Sequence, residues 1–381
     1  MPRTTPSTGP PPARPRREPH GLQGPEPERI LIVRLTAVGD VIHGAPVLCA
    51  LRDRFPDAYI AWVVEGVGGD LLQGHRALNQ LIRVPRRWYK SPRQVWSLRR
   101  RLRAEGFDTA VDLQCLTKSA LVAWMSGAPR RLGCAAPDGR ELSPWLNNVQ
   151  TPVDADHVVH HYLGILAPLG IAVRRSVGAP RPEGFESIRF DLEERGPAAR
   201  YAAEAIDALG LRAGRFAVLN PGAGWASKLW PTERYAQVAS RLQAEHGVRS
   251  LAVWAGEGER ALAQQIVARS GGAATLAPGT TLPQLAAVCR RAALFLGSDT
   301  GPMHLAAAVG TPTVSLHGTT EAGWCGAYGS GNLALQAEFA DGSYGERRRA
   351  ANDAMLALSV DRVSQACGEA MARTQAVRRA G

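Results

Sequence analysis

Seven short apolar runs punctuate the chain, at residues 30–35 (ILIVRL), 59–64 (YIAWVV), 109–113 (TAVDL), 216–220 (FAVLN), 250–254 (SLAVW), 293–297 (ALFLG) and 312–316 (PTVSL). Each is too short for a helix and apolar on both faces, the pattern of a strand covered on both sides. Most of the intervening stretches repeat their apolar residues every three or four positions, as amphipathic helices do. Strands alternating with helices predict βαβ units and parallel sheets.

The alternation runs from about residue 29 to 170, pauses in VRRSVGAPRPEGFESIRFDLEERGP (173–197), and restarts with RFAVLNPGAG. This predicts an α/β protein of two Rossmann-like domains, residues 29–185 and 186–345, with parallel sheets facing a central cleft. Ligands are then expected at the carboxyl ends of the strands. The stretch DAMLALSVDRVSQACGEAMARTQ (353–375) predicts a C-terminal helix within a segment 346–381, expected to pack back across the first domain.

Length agrees with this division, since 381 residues exceed what one hydrophobic core ordinarily supports. Residues 1–28 hold nine of the 27 prolines and almost nothing to bury, so they predict a disordered tail. That tail has no apolar stretch of the signal-peptide kind, and no run along the chain approaches the ~18 apolar residues of a membrane span. The expected location is the cytoplasm. Of the net charge of +11, the tail supplies only +1 (four arginines against three glutamates). Residues 83–103, RVPRRWYKSPRQVWSLRRRLR, carry nine basic residues and no acid, which predicts an anionic partner. The six cysteines are widely spaced with no CxxC, so neither a zinc site nor a disulfide framework is expected.

Three stretches carry candidate chemistry. In LGSDTGPMHLAAAVGTP (296–312), a strand runs through Asp299 and Thr300 into a helix opened by Gly301 and Pro302. Such a helix start offers free N–H groups and a positive dipole end to a phosphate. It is also explained by Asp299 capping the helix, and the two readings are compatible. In NPGAGWASKLWP (220–231), Lys228 sits between Trp225 and Trp230 after a glycine-rich turn and could meet a phosphate as a point charge. In RLTAVGDVIHGAP (34–46), Asp40 reads equally as a helix cap or as a base projected over the cleft.

Together with DLQCLTKSA (112–120) and SDTGPMHLAAAVGTPTVSLHG (298–318), these stretches occur in one order over residues 29–340, and the chain resembles the bacterial heptosyltransferases of glycosyltransferase family nine. RRW followed by Lys, DLQ with KSA, and DTG resemble most the type I members, which add the first heptose to Kdo of the lipopolysaccharide inner core. The resemblance implies a GT-B fold, a metal-independent reaction, no cofactor beyond the donor ADP-heptose, and inversion with Asp40 as general base. It assigns Lys228, Asp299, Thr300, Gly301 and His304 to the diphosphate and nucleoside. Thr36, Gly39, Gly222 and Ala223 complete that side, with Glu257 or Glu259 for the ribose, Glu257 being taken. Arg83, Arg86, Arg87, Lys90, Gln114 and Lys118 are assigned to an anionic, lipid-linked Kdo acceptor, at the cytoplasmic face of the inner membrane. Cys115 departs from the family pattern, which usually has Gly there.

The alternative within the same fold is a related GT-B enzyme using another nucleotide sugar or glycan acceptor, since the motifs read phosphates and base better than the sugar, and two further readings are weighed. VDADHVVHHY (153–162) offers a D-x-D and His157, His160 and His161, but it precedes a helical pattern, so the aspartates are expected to cap rather than bind metal. A nucleic-acid-binding protein would account for the basic run with its aromatics, but not for two strand-turn-helix sites, so no nucleic-acid partner is expected.

Overall fold

A computed structural model describes residues 22, 24–171 and 188–380, so most of the expected tail of residues 1–28 (1–21 and 23) and the centre of the interruption (172–187) lie outside the described residues. The first half forms β1 (Arg29–Val33), β2 (Tyr59–Glu65), β3 (Gln80–Val84), β4 (Thr109–Asp112), β5 (Arg130–Cys134) and β6 (Val149–Thr151). The second forms β7 (Phe216–Asn220), β8 (Arg249–Ala252), β9 (Ala274–Leu276), β10 (Leu294–Ser298), β11 (Thr313–His317) and β12 (Leu333–Gln336). The helices that bear on the site and its surroundings are α1 (Val38–Arg54), α2 (Pro92–Ala104), α3 (Thr117–Ser126), α4 (Ser143–Leu146), α5 (Val158–Gly164), α6 (Thr232–His246), α7 (Gly301–Ala308) and α8 (Val360–Ala380).

The sheets are ordered β3-β2-β1-β4-β5-β6 and β12-β11-β10-β7-β8-β9, and every strand pairing is parallel. Both halves therefore share one topology. Strand order reverses between β1 and β4, and again between β7 and β10. A doubly wound sheet opens a crevice at that reversal, beyond the carboxyl ends of the strands. All three sequence motifs leave strands that border a reversal: Asp40 follows β1, Lys228 follows β7 and Asp299 follows β10.

Alternation along β1 explains the layering, because successive side chains point to opposite faces. Ile30 and Ile32 pack with α1 and α5, whereas Leu31 and Val33 pack with Leu98 and Leu102 of α2 and with Val122, Ala123 and Met125 of α3. The α1 face joins the domains: Ile42 and Ala45 enter a cluster with Phe295, Met303 and Leu305 of the second domain. Burial of Ile42 alone contributes about 1.5–3 kcal/mol to that seam.

The C-terminal helix differs from expectation. Instead of crossing to the first domain, α8 packs beside α6 on the second sheet, burying Val363, Ala366, Cys367, Ala370 and Met371 with Leu294, Leu296 and Val314. The reason is steric economy: α1, α5, α2 and α3 already cover the first sheet on both faces, and the α8 stripe completes the cover of the second.

Candidate active site

Asp40 lies in the first turn of α1, where it supports the helix start. Its Oδ2 accepts a hydrogen bond from the Ala37 N–H (3.0 Å), so it satisfies the helix start, although Ala37 is the N-cap residue. The same oxygen pairs with Arg34 Nη2 at 2.5 Å, and the Tyr162 hydroxyl donates to Oδ1 (3.2 Å). Burial pushes the Tyr162 phenol well above its ordinary value, so it remains a donor at any working pH. A carboxylate has about four acceptor positions, and the Asp40 side chain is 36% exposed, so Oδ1 can accept one more hydroxyl from the cleft.

Across the cleft a continuous chain of side chains links three motifs. Lys228 Nζ donates to Asp299 Oδ2 (2.6 Å) and stands 4.5 Å from the Trp225 ring centroid. His304 Nε2 lies 3.0 Å from Asp299 Oδ1, and His304 Nδ1 lies 3.0 Å from His43 Nε2 of the first domain. Burial opposes the charge on Asp299, but the His304 hydrogen bond and the Lys228 cation outweigh it and hold the carboxyl well below the ordinary range. A carboxylate only accepts, so His304 donates to it from Nε2, and one proton is shared between His304 Nδ1 and His43 Nε2. Burial, then the neighbouring imidazoles, push His43 far down, so it is neutral, and its Nδ1 has no partner. Asp299 is thus not the cap of α7. Thr300 occupies that position, with Asn220 donating to its hydroxyl (3.3 Å).

Two glycines allow the first turns of α1 and α7 to pack closely. A Cβ on Gly39 would stand 2.7 Å from His304 Cδ2, and one on Gly301 would stand 3.1 Å from Val38 Cβ. Gly39→Ala is therefore expected to displace His304, lowering stability by about 1–3 kcal/mol and reducing donor use. Denaturant unfolding alongside turnover checks this; an unchanged midpoint would show that the seam tolerates the methyl.

Beside this seam, Gly222 packs directly against the Glu259 carboxylate, which also accepts the Ala255 N–H (2.8 Å). Glu257 is 83% exposed and pairs with Arg260 on the surface. Of the two glutamates, the structure brings Glu259 and not Glu257 to the Gly222–Ala223 turn. The reason is helix phase: residues two apart on one helix point to different sides. Thr36 is exposed in the turn before α1.

On the acceptor side, Gln114 accepts the Leu35 N–H (3.1 Å) and so ties the loop after β4 to the loop after β1. Lys118 forms an ion pair with the buried Glu65, with its ammonium 5.0 Å from the Tyr89 ring centroid. Arg83 is held by Asp70 (2.8 Å), whereas Arg86, Arg87 and Lys90 are exposed. Cys115 has φ +50°, the left-handed region that favours glycine, which accounts for the family's residue there.

The profile of glycosyltransferase family 9 (heptosyltransferase) matches residues 95–347, a span that contains Lys228 and Asp299 to His304. The chain belongs to glycosyltransferase family 9. Among curated relatives of this glycosyltransferase, the lipopolysaccharide heptosyltransferase 1 of Pseudomonas aeruginosa is 29% identical over 320 residues, covering 82% of this chain and 84% of the relative. The Escherichia coli protein of the same name is 26% identical over 318 residues, 81% of this chain and 93% of the relative. In fold, it resembles the family 9 enzyme of Veillonella parvula (TM-score 0.74, 23% identity, 91% of this chain, 97% of that one). It also resembles an E. coli heptosyltransferase solved with ADP (TM-score 0.70, 24% identity, 90% and 99%). These likenesses identify the two-domain architecture as GT-B.

Sequence reasoning passed over several residues of this glycosyltransferase that touch the site. Arg34 was visible as a lone cation ending an apolar strand, and His43 as part of the GDVIH stretch; Tyr162 carried no signal. The D-x-D does not cap α5 as expected: His157 is its N-cap, its Nδ1 accepting from Val159 N–H (3.1 Å). The histidines of that stretch diverge, His157 to the Gly326 carbonyl, His160 to Tyr328 and His161 to Cys134. Among the described residues, Asp299, His317 and Cys325 bring ligand atoms within 4.8 Å of one another, but Lys228 and His304 already occupy both oxygens of Asp299.

Buried neutral histidines predict an acid limit to stability. Burial, with the nearby imidazoles, lowers His157 to about 4; burial, opposed by Asp299, lowers His317 to about 4, against an ordinary 6.5. Each binds a proton more readily once unfolded, so their contribution is full above 6.5 and is lost as pH falls toward 4. The melting temperature should fall steadily over that window; a flat profile would contradict the neutral assignment.

Proposed function

We propose that this glycosyltransferase moves heptose from ADP-heptose to Kdo of the lipopolysaccharide inner core, by single displacement with inversion, at the cytoplasmic face of the inner membrane. The observation that carries the proposal is the run of contacts across the two domains: Gly39, next to Asp40, packs on His304, which pairs with the Asp299 that holds Lys228 beside the start of α7. Asp40 takes the proton of the attacking hydroxyl. The departing diphosphate then draws Lys228 away from Asp299 and meets the free N–H groups of α7, which stabilise its growing charge. Asp299 stays compensated through His304 while this happens. The names of the relatives support the sugar and the acceptor class.

Relatives named heptosyltransferase 3 also match, one E. coli protein being 26% identical over 296 residues, which makes a heptosylated core the acceptor to compare. Transfer is measured with ADP-heptose, GDP-heptose and UDP-sugars on a Kdo-terminated and on a heptosylated lipid acceptor. ADP-heptose with the Kdo acceptor is expected to react best, with the product linkage inverted by NMR. Preference for another donor, or retention at the anomeric carbon, refutes the reading.

A further inference from the structure

The outer layer of the first domain carries aromatic and basic side chains that the reaction leaves unused. Helices α2, α3 and α4 pack side by side on the sheet face turned away from the second domain. Each presents a tryptophan to solvent: Trp96 is 60% exposed, Trp124 44% and Trp145 86%, with Leu142 exposed beside the last. In α2, Leu98 and Leu102 point inward, so Arg93, Trp96 and Arg100, spaced by three and four, line the opposite face. The Arg100 guanidinium carbon stands 4.9 Å from the Trp96 ring centroid. Arg99, Arg101 and Arg103 are exposed as well, and no acid lies within residues 83–103 to compensate them.

Such a surface is costly in water alone. Exposed tryptophans forgo burial, and like charges crowded on one helix repel. An anionic bilayer relieves both costs, because tryptophan rings settle at the headgroup level and arginines meet the negative surface potential. We infer that the α2–α3–α4 face docks this glycosyltransferase onto an anionic lipid bilayer. The face continues at the start of α2 through Lys90 and Tyr89 to Lys118, so docking brings the acceptor side of the cleft to the lipid surface. Among the described residues no helix is long and apolar enough to cross a membrane, so the contact is a surface one. The inference deepens the reading of a lipid-linked acceptor and rests on it for that orientation; the face itself rests on charge and aromatic placement.

The test is co-sedimentation of the full chain with phosphatidylcholine vesicles and with vesicles containing phosphatidylglycerol, together with tryptophan emission. Binding to the anionic vesicles, a blue-shifted emission and release by high salt are expected. Trp96→Ser/Trp124→Ser/Trp145→Ser and Arg93→Gln/Arg100→Gln should each weaken binding at least about tenfold, with turnover on a lipid-free acceptor unchanged. No preference for anionic vesicles, wild-type binding in both variants, or tighter binding to RNA than to vesicles overturns the inference. Intact vesicle binding without transfer from ADP-heptose overturns the proposed reaction and leaves the docking face standing.

Discussion

Asp40→Asn is expected to lower turnover about a thousandfold, within the range by which a positioned general base accelerates proton transfer. The substitution keeps shape: with the amide oxygen in the place of Oδ2 it still accepts from the Ala37 N–H, and the amide NH2 in the place of Oδ1 donates to the Tyr162 hydroxyl oxygen. What disappears is the negative charge, and with it the capacity to take a proton. Arg34 loses its ionic partner but keeps the hydrogen bond from Nη1 to the Leu113 carbonyl (3.1 Å), so the fold should persist. Affinity for ADP, which the second domain holds in this reading, should change little. Steady-state transfer and calorimetric ADP binding on the same preparation decide the matter. Turnover within tenfold of wild type would place the base elsewhere.

Lys228→Met should act on chemistry and stability together. In the proposed reaction Lys228, the cation beside the start of α7, meets the charge developing on the leaving diphosphate. Its loss should lower kcat/KM by two to three orders of magnitude, as loss of a preorganised electrostatic partner does. Its side chain is 13% exposed and that of Asp299 is 9%, so the pair is largely dehydrated. Removing one member leaves a buried carboxylate held by His304 alone, at a cost of about 3 kcal/mol. Lys228→Met/Asp299→Asn should regain part of that stability, since the uncompensated charge is gone, without regaining turnover. Denaturation midpoints for the single and double variants measure the coupling. Equal destabilisation in both would mean that Asp299 does not depend on Lys228.

The same sites show how far residue patterns reach. Asp299 and Lys228 were both recognisable as phosphate-side candidates, yet their ion pair was not, because 71 residues and three strands separate them and only the crossing of β10 beside β7 brings them together. For Asp40 the pattern left two readings, cap or base; in the fold Ala37 is the N-cap, and the carboxylate supports the helix start with Oδ2 and accepts from Tyr162 with Oδ1. Glu257 and Glu259 could not be separated by spacing; helix phase separates them. Arg83 and Lys118 were assigned to the acceptor through the family resemblance, and the fold pairs them with Asp70 and Glu65.

By itself, the sequence determined the class of fold: seven apolar runs recur as parts of β1, β2, β4, β7, β8, β10 and β11, because strands buried on both faces must be continuously apolar. It also determined the turns that need small residues and the charge of the basic helix. Tertiary structure decided the rest. The strands β3, β5, β6, β9 and β12 are short, at an edge, or carry charge, as RRLGC does in β5, so neighbours rather than composition make them strands. The packing of α8 on the second sheet, the contact of His43 with His304 across the domains and the placement of Tyr162 over Asp40 likewise depend on which surfaces remain uncovered once the sheets have formed. Local patterns record what a segment can bury; only the assembled layers specify what it is buried against.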